Sequence, residues 1–538
     1  MAKKTLRLSG LIVCVFLLLS FQTQLRSDDD LHRVWAVKDC RIISLSGPPI
    51  EKGTIVIRNG MIEAVGPNIS IPPDAEVIDG STLTAYPGLI DGLGQYLLKL
   101  PEEKFDITKV YTGEFTDKDK GLTPELNAFD FIDLGKVSLE KYHTFGFTAA
   151  HVLPEKGVLA GQASFFSLSS SEKTKALLLK DTCLGIGFSP ASFLVYPNSL
   201  MGVAALLRQT FQDASHYRRI QSLWKKEMKG MGRSEYDARL EVISDYVTGK
   251  KSIVFLCRNQ HDIRRALSIA DEFNLNYFIC DLGSEASALI PELKRAKARV
   301  LCTVGFKVPA TSIHSQLGRE EREKAEKEIY PKNPVKLAEA GIPFVFSSLG
   351  TDAPKSFREG ILQAIEAGLS QEKALEALTK NAAAFFGLDQ ALGTIEPGKI
   401  ANLALAEGDI LGKEAKVTHI FADGQKFEVK AAKAKEGEKP AVNITGKWEL
   451  NVEGGIKLTV EFTQEEDSLS GRMTTPFGVF DFTGGTVSGK EIYFEMSLSI
   501  GGQELDLYFS ATVEEDTMRG SVVQGTSGSA EFTGKRIP

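Results

Sequence analysis

Two kinds of side chain in this 538-residue sequence could carry chemistry. The first are carboxylates: Asp91 and Asp352 each follow an apolar run, and Asp281 and Glu285 flank the end of another. A carboxylate pair works as acid and base when its surroundings split the two pKa values. The same placement also suits strand-end capping and loop hydrogen bonds, the simpler expectation. The second are thiols. Cys257, Cys280 and Cys302 sit near the ends of three successive β-rich runs, SIVFLC, NYFIC and RVLCTV. Converging thiolates would make a reactive cluster, whereas the simpler expectation is that small soft side chains fill a core. Metal chemistry has less to draw on, because the seven histidines include no HxH pair. His151, after GFTAA, suits either a ligand contact or a loop cap. His261, beside Asp262 at a helix start, reads as a first-turn surface residue. His143, His216, His314 and His419 are isolated and read as structural or surface residues.

The elements that must position these groups change character along the chain. From Trp35 to Asp79, short β-rich runs alternate with turns, as in GTIVIRNGMIEAVG. From Leu89 to Phe386, apolar β runs alternate with amphipathic helical stretches such as DIRRALSIADEFN, the texture of a parallel βα barrel or doubly wound sheet. GTIEPGKIANLALAEGDI and VTHIFADGQKFEVK then return to β character and complete the first sheet unit. Residues 430–442, charged and Ala/Lys-rich, read as a linker. Residues 443–538 read as antiparallel strands in two similar halves about fifty residues apart, which pair Glu465 with Glu514, Gly471 with Gly520, and Phe482 with Phe532. A β-barrel or sandwich fits that repeat.

Composition limits the partners. A net charge of -7 without a basic stripe gives little support for nucleic-acid binding. Residues 1–27 carry Lys3, Lys4 and Arg7 before an apolar run from Leu11 to Phe21, a secretory signal pattern. That run is short of the roughly twenty residues a bilayer span needs, so no stable span is expected once the signal is removed. The chain is expected to be secreted or periplasmic, with an uncleaved anchor as the alternative.

The segment TLTAYPGLIDGLGQ, followed in order by GFTAAHVLP, AEAGIPFVFSS and NAAAFFGLDQALGTIEPGKIANLAL, resembles the imidazolonepropionase-like branch of the amidohydrolase superfamily over residues 34–428. The resemblance implies an α/β fold: a TIM-like (β/α)8 barrel over 89–389 with a discontinuous β-sandwich from 34–88 and 390–428. It also implies a hydrolase of non-peptide carbon–nitrogen bonds, with strand-end histidines and an aspartate holding a metal. In this chain the corresponding positions carry Leu93, Gln95, Cys257, Ser284 and Leu349; Asp352 lies three residues beyond the last. Leucine has no donor and glutamine is a poor transition-metal ligand.

The loss is expensive. A divalent ion lowers the pKa of bound water from about 15.7 to about 7, on the order of 12 kcal/mol, which a lone carboxylate base does not supply. The sequence therefore leads to the expectation of an exported, metal-poor barrel acting as a binding or partner scaffold. Its partner would be an intact amidohydrolase chain or an unidentified small molecule. No cofactor is expected, and zinc is the ion implied if the substituted site is rebuilt. The alternatives are an active C–N hydrolase using Asp91 and Asp352, with His151, Cys257, Ser284 and Glu285 as contacts, or a ligand-binding protein acting through its C-terminal β-domain.

Overall fold

The computed structural model describes residues 33–537 apart from 101–107, 155–156, 193, 231, 234, 307–323, 352–353, 414, 430–439, 453–455, 467, 476–477, 501–502 and 525–527. The expected signal segment 1–27, most of the expected linker 430–442, Asp352 and His314 lie outside the described residues. The chain divides into two compact units, Met1–Ala431 and Ala432–Pro538.

In the first unit, eight strands drawn from both flanks form one ladder. Its order is Gln425–Glu428, Lys416–Ala422, Leu403–Glu407, Leu83–Pro87, Val34–Ile42, Ile50–Arg58 and Met61–Gly66, with Ala75–Asp79 paired parallel to Val34–Ile42. The flanks meet where Leu403–Glu407 runs antiparallel to Leu83–Pro87. Trp35 and Val37 face one core and Val34 and Ala36 another, because successive strand residues point to opposite sides, and an irregularity at Asp39, φ 58, brings Cys40 and Ile42 onto the side of Trp35 and Val37. Two hairpins turn on Asn59–Gly60 and Asp423–Gly424, all four residues at positive φ as a two-residue primed turn requires. The two turns touch: a Cβ on Gly424 would lie 2.2 Å from Gly60 Cα.

The barrel strands are Leu89–Gly94, Phe147–Val152, Leu159–Gln162 continued by Ser164–Ser167, Cys183–Gly187, Ser252–Cys257, Asn276–Asp281, Arg299–Thr303 and Phe344–Ser347. The fourth to eighth strands are parallel neighbours. The first and eighth meet where Ser347 Oγ donates to Leu93 O at 2.6 Å. Only glycine fits that seam at position 92, since a Cβ there would lie 2.3 Å from Val345 Cγ1. The third strand departs from the expected all-parallel cylinder. It runs antiparallel to both neighbours, because residues 153–158 are too few for the crossover of about ten or more residues that a parallel return needs. The barrel helices are built by ordinary caps. Gln260–Phe273 starts on Asn259, whose side chain accepts from His261 N and Asp262 N, and stops at Asn274 with φ 50. His261 is exposed in its first turn, as expected.

The second unit is a closed barrel of eight antiparallel strands from Gly446–Val452 to Gly528–Ile537. The sequence repeat is visible in its ladder. Gly471 pairs with Phe482 and Gly520 with Phe532, and the hairpins after Glu465 and Glu514 both turn on a glutamate at φ 53. Phe462, Phe482, Phe494, Phe509 and Phe532 interlock inside with ring centroids 4.4–5.9 Å apart. Trp448 donates its indole proton to Ile444 O at 2.9 Å, and Arg536 lies 4.7 Å over its ring.

Candidate functional site at the barrel lumen

The strand period decides which candidates can meet. Val254 and Leu256, Phe278 and Cys280, Leu301, Val345, Ile90, Ala149 and Phe165 form the lumen cluster. Their alternate neighbours Phe255 and Cys257, Ile279, Val300 and Cys302, Phe344 and Phe346 belong to the layer between barrel and helices. Cys257 is therefore not at the mouth. Its Sγ sits 3.6 Å from Phe255 O, and burial raises its pKa well above the ordinary thiol value. Cys302 faces the same way and accepts from Asn333 Nδ2 at 3.5 Å, whereas Cys280 points inward. The three thiols do not converge. All five cysteines of the described residues are buried, and none of them forms a disulfide.

Leu93 and Leu349 are 0% exposed and lie in the lumen with Leu153, Leu256 and Leu301, half-buried Leu282 packing against them. Gln95 lies beyond the first strand and is exposed, whereas Leu93 is buried in the lumen cluster. Deeper in, Phe386 meets His151 at 4.2 Å, Phe278 at 5.4 Å and Phe165 at 5.5 Å, so aromatic rings fill the cylinder.

Asp91 is fully buried and turned away from the lumen. Its Oδ2 accepts from Ser348 Oγ at 2.5 Å and Tyr142 Oη at 3.3 Å, and its Oδ1 from Ser348 N at 3.1 Å. Burial pushes its pKa up to about 6 against these hydrogen bonds, which favour the charge. This carboxylate ties the first strand to the eighth and to helix Lys136–His143; it is not aimed at a substrate. Sequence reasoning missed Tyr142 and Ser348, and nothing in their local pattern marks them as its partners.

His151 does point into the lumen. Its Nδ1 faces Gly92 O at 3.0 Å, and because a carbonyl only accepts, Nδ1 carries the proton. Nε2 lies 2.6 Å from the Thr182 hydroxyl, whose one proton is shared between this nitrogen and Ala163 O at 3.0 Å. Burial holds the imidazole down at about 4, so it is neutral near pH 7. Cys183 Sγ lies 4.0 Å from Nε2 and is pushed up to about 12, so this pair is not an activated nucleophile and base.

Ser284 sits at the sixth strand's end with φ 55, 4% exposed, its Oγ buried without a partner. Glu285 is spent on structure: Oε2 accepts from Gln260 N at 2.9 Å, at the start of a helix. Asp281 likewise accepts from Glu285 N, Ala286 N and Asn333 Nδ2, and burial raises it to about 6. These acids match the capping expectation. Among the described residues no group of three or more His, Cys, Asp or Glu side chains could hold a metal. Among the described residues the mouth does not fit a hydrolytic ion: leucine stands at two of the aligned positions, 93 and 349, Cys257 faces the helices, and Asp91, Asp281 and Glu285 are spent on structural hydrogen bonds.

Comparisons with known proteins agree with this architecture. Residues 291–433 match the model of the amidohydrolase family. A crystal structure of an amidohydrolase from Thermotoga maritima superposes with a TM-score of 0.63 at 24% identity, covering 73% of this chain and 99% of that one. A prolidase complexed with N-methylphosphonate-L-proline aligns at TM-score 0.46 and 16% identity, covering 74% of this chain and 100% of that one. A 5-methylthioadenosine/S-adenosylhomocysteine deaminase from Moorella thermoacetica is 40% identical over 58 residues, 10% of this chain and 14% of the deaminase. The first unit thus has the barrel fold of the Thermotoga amidohydrolase, with the amidohydrolase-family match falling on residues 291–433, and a C-terminal closed β-barrel follows it in the chain.

Proposed function

We propose that this chain is an exported superfamily member that has given up metal-dependent hydrolysis and keeps its barrel as a binding or partner scaffold. The observation that supports this most is the fully buried pair Leu93 and Leu349, packed with Leu153, Leu256 and Leu301 where the resemblance calls for ligands. Burying five leucines contributes on the order of 10 kcal/mol, so the mouth has become core. A partner with an intact metal site suits this reading, since one copy then performs the chemistry that the other cannot. A screen of amides, cyclic imides and dipeptides with added zinc tests it. No turnover above buffer is expected; turnover that the protein retains after repurification would overturn the reading.

The second reading is an active C–N hydrolase with a rebuilt site, favoured by the 40% identity over 58 residues to a deaminase. It requires Asp352, since Asp91 is committed to Ser348 and Tyr142. Any turnover found should then fall at least a hundredfold in Asp352→Ala, and turnover that survives removes Asp352 from the chemistry.

A further inference from the structure

The helix Leu200–Lys226 is longer than its packing explains. At about 1.5 Å per residue it extends roughly 40 Å, about twice the length of a six-residue barrel strand. Its buried stripe is Val203, Leu207, Thr210, Phe211, Ala214 and Tyr217, and it stops there. Past Arg218, which still reaches Ser244 O at 3.0 Å, the last two turns bury no residue fully. Sparsely packed helix is marginal in water, and among the described residues of these last turns only Ile220, Gln221 and Trp224 are even half-buried.

Its composition departs from the rest of the molecule. Residues 216–236 hold Arg218, Arg219, Lys225, Lys226, Lys229 and Arg233 against Glu227 and Glu235, in a chain whose net charge is -7. Lys225, Lys226, Lys229 and Arg233 are exposed. Among them stand large apolar side chains open to solvent: Leu223 is 44% exposed, Met228 57% and Tyr236 72%. Trp224 is half-buried beside them. Scattered exposed apolar groups are ordinary, but aliphatic and aromatic tips interleaved with exposed lysines match a surface that is both apolar and negatively charged.

We infer that the end of this helix and the described residues after it, 219–230, 232–233 and 235–236, form a docking surface for an anionic lipid bilayer. Leu223, Met228 and Tyr236 would enter the headgroup boundary while Lys225, Lys226 and Lys229 meet lipid phosphates. Such peripheral binding needs no membrane span and combines apolar burial with charge attraction. Attraction worth about 1 kcal/mol per lysine is roughly fivefold in affinity for each one.

The test is co-sedimentation of the full chain with vesicles of phosphatidylcholine alone and of phosphatidylcholine with 30% phosphatidylglycerol. Binding to the anionic vesicles is expected, falling as salt rises. The triple substitution Lys225→Gln, Lys226→Gln, Lys229→Gln should weaken it at least about tenfold, and the pair Leu223→Ser, Met228→Ser should weaken it too, both with unchanged circular dichroism. Lys3, Lys4 and Arg7 beside the apolar run at residues 11–21 would also favour anionic vesicles, so the substitutions, made in the same full chain, assign the binding to this helix. Equal binding to both vesicle types, or binding untouched by either set of substitutions, would overturn the inference. So would a lipid-independent dimer, seen by light scattering, that both sets dissociate, since the surface would then belong to a second copy.

Discussion

Ser348 Oγ lies 2.5 Å from Asp91 Oδ2, joining residues 257 positions apart across the seam between the first and eighth barrel strands. The bond makes Asp91 a structural acid of the barrel wall. In Asp91→Ala, Ser348 N, Ser348 Oγ and Tyr142 Oη lose their acceptor in a buried setting. The expected loss is about 3 kcal/mol of unfolding free energy, read from the shift of a urea midpoint. Asp91→Asn should cost less, because the two hydroxyls can rotate to accept from its amide. Equal stability for wild type and the alanine variant would show that these bonds are not made.

Leu93 offers a second check on the filled mouth. Leu93→Ala should cost about 2–5 kcal/mol by the same measurement, as a large-to-small change in a packed core does. If the mouth were an open pocket, the loss would stay under about 1 kcal/mol.

Four buried titrating groups give opposite pH slopes. Asp91 and Asp281 rise from an ordinary 3.8 to about 6, so their contribution to stability is full below 3.8 and is lost as pH climbs through 6. His143 and His151 fall from 6.5 to about 4, so theirs is full above 6.5 and is lost as pH drops through 4. Between about pH 4 and 6 the two pairs largely cancel, each group worth on the order of 2–3 kcal/mol. His143→Gln should therefore tilt the melting temperature downward with rising pH relative to wild type, and Asp281→Asn should tilt it upward. Parallel pH profiles for all three proteins would contradict these shifts.

The thiols make a simple prediction. Cys40 and Cys183 are pushed up to about 12 by burial, and Cys257 and Cys302 are raised well above the ordinary thiol value. Mass spectrometry after iodoacetamide treatment at pH 8 should find Cys40, Cys183, Cys257, Cys280 and Cys302 unmodified in native protein and alkylated in denaturant. Rapid native labelling of Cys257 would restore it as a ligand contact.

Much of the architecture was legible in the sequence because it rests on local rules. Asn59–Gly60 and Asp423–Gly424 announce hairpins, and the spacing of Gly471 and Phe482 against Gly520 and Phe532 announces a doubled barrel. Other features depend on phase and distance. Alternation says that Leu256 and Cys257 face opposite sides, but only the closed cylinder says which side is the lumen. Asp91 looked like a mouth residue because Tyr142 and Ser348, which claim it, are remote in sequence. The antiparallel third strand had a signal in the short connection 153–158, which texture alone does not weigh. Asp352 lies outside the described residues, so its role as a candidate carboxylate rests on sequence alone.

Metal content tests the proposed loss of the ion site most directly. Plasma mass spectrometry of the full chain, purified without chelators and then equilibrated with zinc and desalted, should find well under a tenth of an equivalent of any transition metal. One tightly held ion per chain, retained by wild type and lost on altering a residue at the lumen mouth, would contradict it.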